Sequence, residues 1–469
     1  MKYIKLSQTE KTFYKTNLPY VSTLTWFDGD YQQAHEFLID RLKIIIQKNP
    51  WLIGRIAKRK DDSSGLYIAH PINIDTDESN NESATIINIK DYIKLVPEEE
   101  SPISRSDSPL GELGKLCKKY LITTNGLDEP LLNIVLIPCQ SSPKTKFALI
   151  CQLSHVIGDG ATFYKLHEML CSSNSGDSSD STNNKSLLEE ELIVERVETF
   201  EQDTIKLVGK REYEFVNSPS YICLLLRGIF SSLIFGPKTE FKFAFIDDDK
   251  IQKEKDNYLL GIANNNNKNN NKDHVPPPPP PFISTNDIIT SWFMTYTKSA
   301  YGIMLINLRN RLKGITSNHV GNYESNIFYN CPTDTNSPLL IRKSISTNNM
   351  KRVVTYHDKS SFPGFWNVVS KSCAIVTNWS TFAKPNVIPD CKEDLHLPIA
   401  PISTWSSTMP FLLVFRAGAG SDSSSSNDDG GDGDGGSSTT NKDRIGVCLF
   451  QTRVNYLSSM PFLSKKVFE

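Results

Sequence analysis

The chain has 469 residues, 38% of them apolar and 10% aromatic, enough to bury a sizeable core in two or three domains. Its 51 Lys plus Arg nearly balance 53 Asp plus Glu, and a net charge of −2 argues against nucleic acid or an acidic membrane as partner. Nine cysteines form no CxxC pair and no regular framework, and the opening residues (Met1-Lys-Tyr-Ile-Lys-Leu-Ser7) lack the apolar core of a secretory signal, which together predict a reduced, cytoplasmic protein.

In chain order, the first strong pattern is Tyr31 to Gln47, where Ala34, Phe37, Leu38, Leu42, Ile45 and Ile46 recur at helical spacing. Asp75 to Ser83 is a short acidic loop. Leu131–Ile137 and Lys146–Leu153 read as strands, and a Cys-Gln-Ser-Ser-Pro-Lys turn between them suggests a hairpin. Gly160 to Leu170 reads as a helix with Phe163, Leu166, His167 and Leu170 on one face. Ser172 to Lys185 is a Ser/Asn/Asp loop. Tyr221 to Phe235 is apolar, but it is too short to span a bilayer and carries Arg227; it reads as a buried helix, with an interfacial one as the alternative. Asn264 to Pro281 joins an asparagine tract to six prolines, either a semi-rigid spacer or a ligand for a partner domain. Asn286-Asp287 is expected to cap a helix over Ile288–Ala300, followed by a strand over Tyr301–Leu308. Ser421 to Thr440 is rich in Ser, Gly and Asp. The four polar or biased segments cannot bury enough apolar surface to fold and are expected to be disordered insertions. The mix is α/β, with a first domain over 1–240, a low-complexity crossover linker over 241–281 and a second domain over 282–469 that carries the insertion at 421–440.

Chemistry concentrates at His155-Val-Ile-Gly-Asp159-Gly160, an HxxxDG box between an apolar run and a helical pattern. A histidine at a strand end reaches into a cleft, an aspartate four residues on can be tied back to the scaffold, and a glycine permits the tight turn. Alone, the box fits equally a structural histidine that closes a strand. No two histidines have the spacing of a metal site, and no metal is expected.

Four further segments stand in a fixed order with the box. They are Pro50-Trp-Leu-Ile-Gly54-Arg55 after the first helix, Ile283-Ser-Thr-Asn-Asp-Ile-Ile-Thr-Ser-Trp292, Asn307-Leu-Arg309-Asn-Arg311 with Gly321-Asn322, and Val376-Thr377-Asn-Trp379. With these the chain resembles the BAHD acyltransferases, within the CoA-dependent acyltransferase and condensation-domain superfamily. The resemblance spans about residues 35 to 382. The family's DFGWG motif is missing: Pro389-Asp390-Cys-Lys-Glu-Asp394 stands where it would follow, which marks a divergent branch. Condensation domains usually carry a second histidine before the box; Ser154 holds that place here.

The resemblance implies a two-domain chloramphenicol-acetyltransferase-like fold, each domain a mixed sheet flanked by helices, with a channel between them. It implies transfer of an acyl group other than aminoacyl from acyl-CoA, a co-substrate and not a tightly bound cofactor, to a small-molecule alcohol or amine, by a monomer without stable membrane insertion. His155, ordinarily titrating near about 6.5, would be the general base. Asp159 looks like a triad carboxylate, but the resemblance makes it a structural anchor paired with Arg309, or failing that Arg311; the alternative leaves both arginines on a surface strand edge. Trp379 is either an oxyanion donor through its indole N–H or a core residue. Gly160 keeps the turn open, and Asn286, Asn322 and Thr377 are assigned to the channel or its support. Two other readings stay open: a condensation-type enzyme fed by a carrier-protein thioester, and a non-catalytic binding protein on the same fold.

Overall fold

A computed structural model describes residues 1–62, 65–72, 74–75, 85–103, 111–127, 129–172, 187–219, 222–223, 226, 240–268, 282–346, 350–353, 373–400, 409–418, 444–451 and 460–467. The strands are β1 (Lys2–Lys5), β2 (Val21–Asp28), β3 (Arg55–Ala57), β4 (Tyr67–His70), β5 (Ile74–Asp75), β6 (Thr85–Ile86), β7 (Ile93–Leu95), β8 (Leu132–Pro138), β9 (Lys146–Leu153), β10 (Glu240–Ile246), β11 (Tyr301–Asn307), β12 (Glu324–Asn330), β13 (Cys373–Asn378), β14 (Lys392–Ile399), β15 (Phe411–Arg416), β16 (Ile445–Gln451) and β17 (Leu463–Val467). Helices α1 (Gln8–Lys15), α2 (Tyr31–Lys48), α3 (Leu113–Tyr120) and α4 (Gly160–Cys171) belong to the first half.

Two sheets carry the architecture. The first has the order β14-β2-β9-β8-β7, the second β12-β11-β13-β15-β16-β10-β17. In the first, β8 and β9 form the expected antiparallel hairpin, with Leu132 opposite Leu153 and Pro138 opposite Phe147. Both strands are buried on two faces, which is why they read as near-continuous apolar runs, broken only at Asn133 and Gln152, which hydrogen-bond each other at 2.8 Å. With the period of two, Ile134, Leu136, Phe147, Leu149 and Leu153 pack under α2 and α4 beside Leu38, Leu42 and Phe163. Val135, Ile137, Ala148 and Ile150 point the other way and meet Leu397, Leu413, Phe415 and Phe450. The sheets are therefore held together by a continuous apolar layer and not by a linker.

The lobes also exchange chain. Strand β14 lies within 282–469 yet pairs antiparallel with β2 of the first lobe, Leu397 opposite Leu24. Thr25 Oγ1 and His396 Nδ1 meet at 2.7 Å and pin that pairing. Residues 241–281, expected as a linker, open with most of β10, which pairs with β16 in the second sheet, and continue into a helix over Asp248–Lys268. The linker reading rested on the Asn/Pro composition that starts at Asn264, while Phe241-Lys-Phe-Ala-Phe245 alternates as a strand does. The helix expected at Ile288 begins at Thr285: Ser284 is its N-cap, and its capping box uses Asp287, not Asn286-Asp287, as the closing side chain. The segments 421–440, most of 172–185, 75–83 and 221–235, and the prolines 276–281 lie outside the described residues.

The two lobes with helix-flanked mixed sheets make a chloramphenicol-acetyltransferase-like architecture.

Candidate active site between the lobes

Strand β9 delivers the box. Ser154 donates to Asn125 Oδ1 at 2.8 Å and accepts from the Val156 N–H at 3.3 Å, turning the chain just past the strand. His155 follows, half-buried, with its ring edge-on to Phe13 of α1 at 5.1 Å between centroids.

One side chain from the second lobe sets the state of that ring. Asn322 Nδ2 donates to the His155 carbonyl oxygen at 2.9 Å and faces the Val156 oxygen and Glu10 Oε1 at 3.5 Å each. All three are acceptors, so the amide orientation is fixed, and its Oδ1 is the atom that meets His155 Nδ1 at 3.1 Å. An amide oxygen only accepts. Nδ1 therefore carries the proton, and Nε2 keeps a free lone pair with no hydrogen-bond partner among the described residues. Burial lowers the imidazole pKa below its ordinary value; a hydrogen bond to its own backbone, the Asp159 charge and Asn322 offset part of that. At neutral pH the ring is an unprotonated base.

Asp159 faces away from this chemistry. It is the N-cap of α4, where Oδ1 accepts from the Thr162 N–H at 2.9 Å. Its Oδ2 accepts from Arg309 Nη1 at 2.7 Å and from the Tyr323 N–H at 3.0 Å. Arg309 spends its remaining donors on the His319 oxygen, Asn307 Oδ1, Thr162 Oγ1 and the Gly321 oxygen, at 2.8 to 3.2 Å. Both residues are almost wholly buried, 2% and 5% exposed, so the pair ties the lobes where β9 turns. Burial would raise the Asp159 pKa, but the Arg309 charge, the hydrogen bonds from Arg309 and Thr162, and His155 outweigh it and hold the carboxyl below its ordinary value. Arg311, the second choice as partner, turns instead toward the Ile345 oxygen and Met350 Sδ.

His155 lines a cavity of about 170 Å³ between the two sheets. Gly160, Thr377 and Trp379 line it as well, together with apolar residues of both lobes such as Phe13, Ile303, Phe411 and Leu413. The Trp379 backbone is held by the Val414 oxygen at 2.8 Å, its ring packs edge-on to Tyr164 at 6.0 Å, and its indole N–H has no partner among the described residues. Gly160 is where the indole fits: a Cβ there would stand 2.7 Å from Trp379 Nε1. Gly160→Ala should thus push the indole aside, at an overpacking cost of about 1–3 kcal/mol. A lower melting temperature with a shifted tryptophan emission is the expected result, and unchanged values of both would count against this packing.

Asn286 is not in the cavity wall; its Nδ2 lies against Met304 Sδ at 4.0 Å in the second lobe's core. Two residues escaped sequence reasoning. Glu10, fully buried, receives Arg196 at 2.8 Å and contacts both the backbone N–H and the amide of Asn322, bracing the His155 partner from behind. Its signal was a capping box, Ser7-Gln-Thr-Glu10, at the start of α1. Glu324, in the cavity wall, follows the flagged Gly321-Asn322 by two residues. Among the described residues no group of three or more His, Cys, Asp or Glu is placed to hold a metal, and no helix is long and apolar enough to cross a membrane.

No family model and no curated protein matches this chain. Solved structures do. The first condensation domain of the calcium-dependent antibiotic synthetase, in complex with substrate analogue 3a, aligns with a TM-score of 0.51 at 10% identity, over 96% of this chain and 91% of that one. F. graminearum TRI101 complexed with coenzyme A and deoxynivalenol aligns with a TM-score of 0.51 at 12% identity, over 97% and 96% of the two chains. The chain is thus a distant structural match to the fold of the BAHD and condensation-domain acyltransferase superfamily.

Proposed function

We propose that the protein is an acyltransferase that moves an acyl group from a coenzyme A thioester to an alcohol or amine, with His155 as general base. The observation that carries this reading is the neutral imidazole with a free Nε2, held by Asn322 at the wall of an inter-lobe cavity. Nε2 takes the proton from the acceptor as its oxygen or nitrogen attacks the thioester carbonyl. The tetrahedral oxyanion that forms is stabilised by a preorganised donor, for which the unpartnered indole N–H of Trp379 is suited. The intermediate collapses, the carbon–sulfur bond breaks, and the His155 imidazolium returns the proton to the thiolate. Asp159 takes no part in proton transfer; it and Arg309 hold the loop. The protein is proposed to act as a monomer, with the cavity wall drawn from both lobes of one chain.

The donor is proposed as acyl-CoA because Ser154 replaces the second histidine usual in condensation domains, and because a neighbour of the same fold, TRI101, is complexed with coenzyme A. The deciding experiment incubates the full chain with a set of acyl-CoAs and a panel of alcohols and amines and follows free thiol. Transfer from an acylated carrier protein but not from acyl-CoA would move the protein to the condensation class. No transfer from either would leave a binding protein.

The pH profile follows from the base. Activity needs the unprotonated ring, so kcat/KM falls as pH drops through the His155 pKa, which burial places below the ordinary histidine value. The acid limb should therefore have its midpoint below about 6.5. A midpoint above that would contradict the buried, Asn322-held imidazole.

A further inference from the structure

Apart from His155 and two tyrosines, Glu324 is the one ionisable residue among the described residues that line the inter-lobe cavity. It stands at the start of β12, opposite Asn307 of β11, in a wall otherwise made of apolar and neutral polar side chains. The same residue lines a smaller pocket of about 30 Å³, shared with Gly160, Thr377 and Trp379 and with Asp159, whose carboxylate is already held by Arg309. No hydrogen bond or ion pair engages that carboxyl among the described residues. Arg309, whose charge acts on Glu324, has already committed its donors to Asp159, Asn307, Thr162 and two backbone oxygens. A carboxyl in an apolar wall loses hydration and gains nothing in return unless a ligand supplies the partner.

We infer that Glu324 is a substrate-recognition group that binds the ammonium of an apolar, amine-bearing acceptor. The class of acceptor follows from the wall: Phe13, Ile303, Ile375, Phe411 and Leu413 offer an apolar body its surface, and Glu324 offers the one carboxyl among the described lining residues. Burial, and after it the Asp159 charge, with partial relief from Arg309, raises the carboxyl pKa to about 8. The empty site is therefore mostly uncharged at neutral pH, and an arriving ammonium draws the carboxyl into its ionised form. The nitrogen held at Glu324 is a recognition group; the atom acylated is the one that His155 Nε2 reaches.

The inference rests on the acyl-transfer reading only for the role of the ligand, and the test involves no thioester. Calorimetric titration of the full chain at pH 7.5 would compare 2-phenylethylamine, 4-phenylbutylamine and octylamine with the matching alcohols. The amines should bind on the order of tenfold tighter or more, the advantage typical of a hydrogen bond to a charged group. Glu324→Gln should erase that preference and leave the alcohols unchanged. Equal affinities in the wild-type chain, a preference that survives Glu324→Gln, an equal loss for alcohols and amines, or no binding by any of the six would overturn the inference. The wild-type comparison decides the matter even if the variant fails to fold. A chain that selects amines but releases no thiol with any donor keeps this inference and loses the acyl-transfer reading.

Discussion

His155→Ala lowers kcat for acyl transfer by about 10²–10⁴-fold, the contribution typical of one positioned general base. The expectation is specific because no other ionisable group among the described residues of the cavity wall can replace it. Glu324 is mostly protonated near neutral pH and has no donor to orient it. The tyrosines that share the wall, Tyr20 and Tyr213, are both raised in pKa, chiefly by burial, and stay protonated. Substrate binding depends on the apolar wall and should change little, so the loss falls on kcat and not on KM. Steady-state kinetics with the best donor and acceptor from the thiol-release panel checks this. A variant that keeps full turnover would remove His155 from the chemistry.

The second large effect concerns stability. Arg309→Met leaves the Asp159 carboxylate buried with only backbone donors, and breaking a buried ion pair from one side costs about 3–5 kcal/mol. The pair is 3% exposed on each side chain, so solvent does not soften the loss. Arg309 also holds the Gly321 oxygen and Thr162 Oγ1, which join the start of α4 to the strand-connecting segment before β12. Denaturant melts of the single variant should show that loss, and Asp159→Asn on the same background should recover part of it by removing the stranded charge. A single-variant loss below about 1 kcal/mol would mean that the pair is not the anchor its geometry describes.

Much of the site could be read from the chain because the informative residues are local. His155, Asp159 and Gly160 occupy one turn, and Arg309 was reached through a second short motif. The choice between Arg309 and Arg311 is settled by the backbone: Asn310 between them has a φ of +59°, and the chain turns there, sending the two side chains to different surroundings. Asn322 was flagged for the channel, but its task of fixing the histidine tautomer depends on a partner 167 positions away. Glu10 lies 312 positions from the amide it braces, and its capping box marks a helix start without tying it to the histidine. The helix cap expected at Asn286-Asp287 is displaced. The motif was located, but the cap is Ser284, which moves Asn286 into the first helical turn and against Met304.

The fold divides in the same way. Strands β8 and β9 declare themselves by largely apolar sequence and a short turn. Strand β14 (Lys392–Ile399) was not read from the sequence, and nothing local in it says which sheet it joins.

That borrowed strand has a consequence for how the chain is made. Until β14 is synthesised, the edge of β2 presents unpaired N–H and C=O groups, an open template for pairing with another chain. The Thr25–His396 contact closes over 371 positions, so the first lobe cannot be finished until the chain has been made through β14 of the second half. Chains that stop before residue 392 should therefore be prone to aggregate, although they contain the whole HxxxDG box and every other strand of its sheet.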